Sequence, residues 1–431
     1  MLLSQWVGFW GWNANAITVS RMQDKIVETA DGAIHVLLNE GQFKGLTLRT
    51  SYDNGATWVE TYEFDQTGRF STGHLEIMAD GDTLTVSFQD DKGEIRFQTL
   101  DYDPSAQNWS AIMEPSTAIA GVASGRISLP NHTMDAEGTL YAVALEANLF
   151  APKIALSTST DGGLTWSTEV TRFGEYEAAS ARLVTTPEVT GVLLATDTNI
   201  SWLDGATGAF VEVSDLGSYQ LLASHYSVTV VGNDIYLANV TEEETPQVEF
   251  FVFDGDTQTW SERISPQNTF DSEAYVQLSS NAEGHLYMTI DEIGTGLVRV
   301  LESVDGGQNW EIETDIVVES RVEAGFTRMV APEYFTEDLV IFQMVLPYEE
   351  SSRRGVSVTV VDVDDDGSAD DVARFAREDP GLRRAWIMDR LNERNADEDD
   401  APSWRDRIDA DRWADWEPGS GLAAMVDSFD L

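Results

Sequence analysis

The sequence predicts an all-β fold: a seven-bladed β-propeller of four-stranded antiparallel blades, followed by a short, mainly helical C-terminal tail. Three observations carry this prediction. Segments of the form S-x-D-x-G-x-x-W recur as SYDNGATW (51–58), STDGGLTW (159–166) and SVDGGQNW (303–310). Degenerate copies fill the intervals at a spacing of about fifty residues, which marks a repeat array rather than a string of unrelated domains. A second element, a turn followed by an apolar strand, lies upstream of the copies, as in ADGAIHVLL (30–38), AEGTLYAVAL (136–145), VGNDIYLANV (231–240) and AEGHLYMTI (282–290).

The chemistry of the repeated segment suits a tight hairpin. Glycine supplies the positive φ, the aspartate side chain accepts hydrogen bonds from turn amides, and the tryptophan fills the gap between neighbouring sheets. The degenerate copies are DYDPSAQNW (101–109), WLDGATGAF (202–210), FDGDTQTW (253–260) and VDVDDDGSAD (361–370). They align Asp53, Asp103, Asp161, Asp204, Asp254, Asp305 and Asp364, one for each of seven blades. Most copies run into an outer strand, as in WVETYEF (58–64), WSERI (260–264) and WEIETDIVV (310–318). A blade of four strands repeated around an axis hides its sheet edges. The last copy, within a propeller spanning 1–370, has no outer strand of its own. The apolar run Gln5–Trp12 is expected to close the ring there; the alternative is an interface anchor.

These segments resemble the Asp-box repeats of the BNR, sialidase-like β-propellers, and the resemblance covers about four-fifths of the chain. It implies the fold, whereas members of that superfamily include glycosidases, lectin-like binders, sorting receptors and assembly factors. Aligning the inner strands as VSRM, TGHL, SGRI, SARL, ASHY, EAYV and FTRM places Arg21, His74, Arg126, Arg182, His225, Tyr275 and Arg328 in one ring around the channel. In sialidase-like enzymes, inner-strand arginines clamp the substrate carboxylate, which suits the planar fork of the guanidinium. The ring therefore implies an anionic ligand. The competing reading pairs these cations with nearby carboxylates such as Glu76, Glu273 and Glu323. Sialidase catalysis is weakly encoded, because Arg21 is followed by Met22-Gln23 where the family has an Arg-Ile-Pro-like motif. Asp24 and Tyr275 match the acid and nucleophile by position alone, and sialidase catalytic domains have six blades.

Asp362, Asp364, Asp366 and Asp370 fall at positions 1, 3, 5 and 9 of an oxygen-ligand loop, with Gly367 at position 6. Ala373 stands where an EF-hand places its glutamate. The loop resembles the shorter calcium loops of propellers and dockerins and is expected to bind Ca2+ or Mg2+, or else to turn the chain without a metal. No organic cofactor is expected. The five histidines (His35, His74, His132, His225 and His285) show no zinc spacing, and no phosphate loop or Ser-His-Asp constellation is evident.

Charge bounds the partners. The chain carries 75 acidic against 26 basic residues, a net −49, and its only lysines are Lys25, Lys44, Lys92 and Lys153. Such a surface repels nucleic acid and anionic bilayers, and its self-repulsion is screened in molar salt, where the Debye length falls to about 3 Å. Acid-rich, lysine-poor chains resemble proteins of extreme halophiles. With no cysteine, stability rests on packing rather than disulfides. The N-terminus MLLSQWVGFWGWNANA lacks the basic region of a signal peptide and is broken by polar residues, so neither a cleaved leader nor membrane insertion is expected.

The β pattern stops at the tail, 371–431. GLRRAWIMDRLNER (381–394) reads as an amphipathic helix, NADEDDAP (395–402) as a linker, and SWRDRIDADRWADW (403–416) as a short helix capped by Ser403. Its four tryptophans, Trp386, Trp404, Trp413 and Trp416, imply packing against the propeller or against other structural subunits. Together these features lead to the expectation of a non-enzymatic recognition or assembly protein that binds an anionic glycan or glycoprotein. It would be a virion surface or tail component of a virus of a halophile, or a protein of the halophile cytoplasm. A sialidase-like glycoside hydrolase is the alternative.

Overall fold

Strands rich in Val, Ile, Leu and Phe, punctuated by Asp-Gly turns, leave each repeat one solution: a small antiparallel sheet covered on both faces by its neighbours. The computed structural model describes residues 2–3, 5–6, 23–39, 45–65, 67, 71–78, 80–120, 130–146, 153–172, 178–196, 199–204, 210–215, 226–240, 247–263, 274–292, 297–317, 329–336, 338–345 and 355–363. They form seven sheets, a seven-bladed propeller, and no helix occurs among them.

From the inside outwards, blade one runs Ile26–Glu28, Ile34–Asn39, Leu46–Ser51 and Val59–Glu63. Blade two runs Gly73–Ile77, Thr83–Gln89, Ile95–Asp103 and Asn108–Ala111, with Ser116–Ile119 added against its third strand. Blades three and four begin on Asn131–Met134 and Ala178–Thr185 and end on Ser167–Arg172 and Phe210–Asp215. Blades five and six begin on Ser227–Val231 and Ala274–Asn281 and end on Thr259–Arg263 and Glu311–Val317. Blade seven runs Met329–Val330, Leu339–Val345 and Gly355–Val361, and its fourth strand is Gln5–Trp6, antiparallel to Gly355–Val361 with Gln5 opposite Val358. Leu2–Leu3 pairs in parallel with the outer strand of blade six.

The core is a set of interfaces between neighbouring blades. Val27, Leu37 and Leu48 of blade one pack on Leu75, Val86 and Phe88 of blade two. Val36 and Leu38, on the opposite face of the same blade-one strand, pack on Val340 and Phe342 of blade seven. Period-two alternation in a sheet covered on both faces explains why Ile34–Asn39 is buried at every position.

The three S-x-D-x-G-x-x-W turns share one hydrogen-bond pattern. Ser51 Oγ donates to Asp53 (2.9 Å) and accepts the amide of Gly55 (2.8 Å), while Asp53 accepts the amide of Thr57 (2.7 Å). The same bonds recur at Ser159, Asp161 and Gly163, and at Ser303, Asp305 and Gly307. Each tryptophan then donates its indole N–H to the glycine carbonyl, at 2.9, 3.0 and 3.2 Å. Its ring lies on the preceding blade: Trp58 on Phe342, Trp166 on Phe97, Trp310 on Phe250. Gly307 has φ +81, and a Cβ there would overlap the Phe250 ring. Gly307→Ala is therefore expected to destabilise the protein by about 2–5 kcal/mol, from left-handed backbone strain and overpacking together. Chemical denaturation of the variant measures this directly.

The tail and the loop ligands Asp364, Asp366 and Asp370 lie outside the described residues. Asp362 directly follows the last strand of blade seven. Among the described residues, no group of three or more acidic, histidine or cysteine side chains is set to hold a metal.

Candidate functional site in the central channel

Inner strands converge on the propeller axis, and side chains at alternate positions face the channel. There they enclose a cavity of about 460 Å³ whose lining comes from all seven blades. Its polar wall is built from Asp24, His74, Glu76, His132, Thr133, Arg182 and Glu333, with Tyr334 at its edge.

Of the seven ring positions, His74 and Arg182 line this cavity. Tyr275 is buried at the start of the blade-six inner strand and does not line it, so Asp24 and Tyr275 do not share the cavity. Arg21, Arg126, His225 and Arg328 lie outside the described residues. The described inner strands of blades one, three and five begin at Ile26, Asn131 and Ser227, downstream of VSRM, SGRI and ASHY.

Arg182 reaches from blade four to the entry of blade one and to blade seven. It donates to Asp24 Oδ2 at 3.0 Å and to Glu333 Oε2. Burial works against its charge, but the two carboxylates more than compensate and hold the guanidinium charged. Arg182 Nε is buried and has no hydrogen-bond partner among the described residues. Glu333 is pushed well above the usual carboxylate range, first by burial and then by Asp24, although Arg182 opposes the shift.

Glu76 follows His74 by two residues and so shares its channel-facing side. Its Oε1 accepts from Thr133 (3.1 Å), whereas its Oε2 has no hydrogen-bond partner and lies 3.8 Å from His132 Nε2. Burial pushes this carboxyl up to about 8, with repulsion from Asp24 adding to the shift. The side chain still shows 31 % of its surface to the cavity, where water tempers the desolvation without reversing its direction.

The two cavity histidines are neutral. His74 Nδ1 accepts the Asp24 amide at 2.8 Å, which places its proton on Nε2. Burial, then the charges of His132, Arg182 and Lys25, hold it well below the usual imidazole range. Thr85 Oγ1 donates to the Glu76 carbonyl and so accepts from His132 Nε2 (2.9 Å), while Ser87 Oγ donates to Nδ1 (2.9 Å). Burial lowers His132 to about 3. Behind this wall Lys25 donates to Gln23 Oε1 (2.8 Å) and to the Gly73 carbonyl, and burial lowers it to about 7.

Sequence reasoning missed Glu76 as a site residue, and also His132, Glu333 and Tyr334. Alternation from His74 was the available signal for Glu76. His132 was set aside for want of a zinc spacing, and Glu333 is placed by the closure of the ring, which no local pattern reports.

No protein-family model matches this chain, and no curated protein sequence matches it. Solved structures do share its fold. Polysaccharide lyase Uly1 is 10 % identical with a TM-score of 0.52, covering 79 % of this chain and 90 % of that one. A family PL25 ulvan lyase bound to -[GlcA(1-4)Rha3S]- is 8 % identical with a TM-score of 0.52, covering 84 % and 95 %. At these identities the likeness establishes the propeller fold.

Proposed function

We propose that the protein recognises a glycan chain at the mouth of its central cavity. One observation carries this reading. Tyr334 lines the cavity yet keeps 47 % of its surface exposed, beside a wall of carboxylates, imidazoles and hydroxyls. An exposed aromatic face next to convergent hydrogen-bonding groups suits a sugar ring, which has apolar C–H faces and a hydroxyl rim. Both propellers of similar fold are polysaccharide lyases, one with an oligosaccharide bound.

The sequence points to an anionic glycan or glycoprotein. Arg182 is already paired with Asp24 and hydrogen-bonded to Glu333, so an anionic group would draw on Arg21, Arg126, His225 and Arg328. The S-x-D-x-G-x-x-W turns support placing the chain among the Asp-box propellers as part of the same reading. Its net charge of −49 supports a protein that works in concentrated salt.

Calorimetric titration with neutral, uronate-containing and sulfated polysaccharides, in dilute buffer and in molar salt, tests the reading. Tyr334→Ala is expected to weaken binding about tenfold, the equivalent of about 1.4 kcal/mol. Unchanged affinity in that variant, or no binding to any of the three classes, would overturn it.

A further inference from the structure

We infer that the cavity takes the end of a glycan chain, entering from the face on which the inner strands finish, and does not let a chain pass through the ring. The inference rests on the glycan reading and names the part of the chain that the site receives. A layer of side chains closes the channel. Neighbouring blades share core clusters in chain order, and blade seven shares one with blade one, so blade four faces the seam where those two meet. Arg182 crosses the channel from there. It donates to Asp24 Oδ2 at 3.0 Å on the blade-one side and to Glu333 on the blade-seven side.

The layer continues around the ring. The Asp24 amide donates to His74 Nδ1 (2.8 Å), and Asn131 Nδ2 donates to the same nitrogen (3.2 Å). Asn131 Oδ1 accepts the amide of Leu183 (2.7 Å), which completes a link from blade one to blade four. On the other side Thr229 Oγ1 and the Ser280 amide both donate to the Glu333 carbonyl, at 3.0 and 2.9 Å, and so join blades five, six and seven. His74, Asn131, Arg182, Thr229 and Ser280 are all buried. Parting this layer to admit a chain would leave the buried Arg182 guanidinium without its partners, which is strongly unfavourable.

From this layer the cavity opens in one direction. In blades one to five the described inner-strand side chains are buried until the last one or two residues, where Glu28, Ile77, Thr185 and Val230 are half-buried. These four residues line the cavity. Exposed Tyr334 stands at the same end, beside Ser280 near the finish of the blade-six inner strand. An internal sugar unit has chain leaving it on both sides and needs two exits, whereas a terminal unit needs one. A volume of about 460 Å³ encloses a small ligand. The last units of a chain or branch therefore fill the cavity, and the remainder stays outside against Tyr334.

The test is the stoichiometry of binding by the full, unaltered chain. Calorimetry would use short and long size fractions of the same neutral, uronate-containing and sulfated polysaccharides. The number of protein molecules bound per glycan chain is expected to be equal for the short and long fractions of the class that binds, so binding per unit mass falls as chains lengthen. Borohydride reduction opens the terminal ring at the reducing end: lost binding then assigns that end to the cavity, and unchanged binding assigns the other. Protein bound per chain that rises in proportion to chain length would overturn the inference and leave recognition standing. Length-independent binding that Tyr334→Ala leaves unchanged would put the site elsewhere and overturn both readings. Absence of binding to all three classes fails the recognition reading itself.

Discussion

Acidification from pH 4.5 to 3 is expected to unfold the protein cooperatively, with three buried imidazoles carrying much of the loss. Burial lowers His35 and His132 to about 3 and holds His74 well below its ordinary value. An unfolded imidazole binds its proton near 6.5, so stability is present above that value and is lost as pH falls towards the folded value. Between about 6.5 and 4.5, Glu76 and Glu333 run the other way, since the folded state keeps protons that unfolded carboxylates release. Below 4.5 that offset disappears. His35 and His132 then contribute up to about 2 kcal/mol each over the remaining interval, about 4 kcal/mol together, against a typical total of about 5–15 kcal/mol, and His74 acts in the same direction. The packing around His35 shows what a proton would disrupt: Nδ1 accepts the Trp109 indole N–H at 3.0 Å, and a protonated Nδ1 would set donor against donor. Asp53, Asp161 and Asp305, held low by their turn hydrogen bonds, act in the same direction at still lower pH. Tryptophan fluorescence against pH measures the midpoint, and His35→Gln and His132→Gln should each move it to lower pH. An unmoved midpoint in both variants would assign the transition to carboxylates alone.

The blades were legible because their determinants are local. Ser51, Asp53, Gly55 and Trp58 lie within one turn, and each acts on the others or on the surface immediately facing it. A repeat then multiplies the signal, so the degenerate copy at 101–109 is recognisable although Asp103 bonds Ser105 and Ala106 rather than reproducing the full pattern. Inner strands are harder to read. Ile26–Glu28 has three residues and Met329–Val330 has two, too short for a hydrophobic period to fix their register.

The site was legible only in part, for a related reason. His74 and Arg182 stand out as polar residues in apolar strands, and both reach the cavity. Their roles depend on partners far away in sequence. Arg182 meets Asp24 and Glu333, 158 and 151 residues distant. Glu76, first considered as a local partner, forms neither of these ion pairs, and Glu273 and Glu323 lie outside the described residues. In a chain with 75 acidic residues, sequence proximity has little power to choose among them. The channel brings distant turns together, and that closure is a property of the whole ring.

Above pH 8, Glu76→Gln is expected to make the protein more stable than the wild type. The folded carboxyl stays protonated to about 8, whereas an unfolded glutamate ionises near 4.5. The unfolded state therefore gains by releasing its proton from pH 4.5 upward, and the folded state loses relative stability until Glu76 itself ionises near 8. Full burial would make the cost up to about 5 kcal/mol; with 31 % of the side chain facing cavity water, about 1–2 kcal/mol is the better expectation. Glutamine keeps an acceptor for Thr133 and cannot ionise, so it removes the cost without opening a void. Thermal melts should show equal Tm values for variant and wild type at pH 4.5, and an advantage of about 2–4 °C for the variant at pH 9. If the two melting temperatures stay equal across that range, Glu76 is not held protonated.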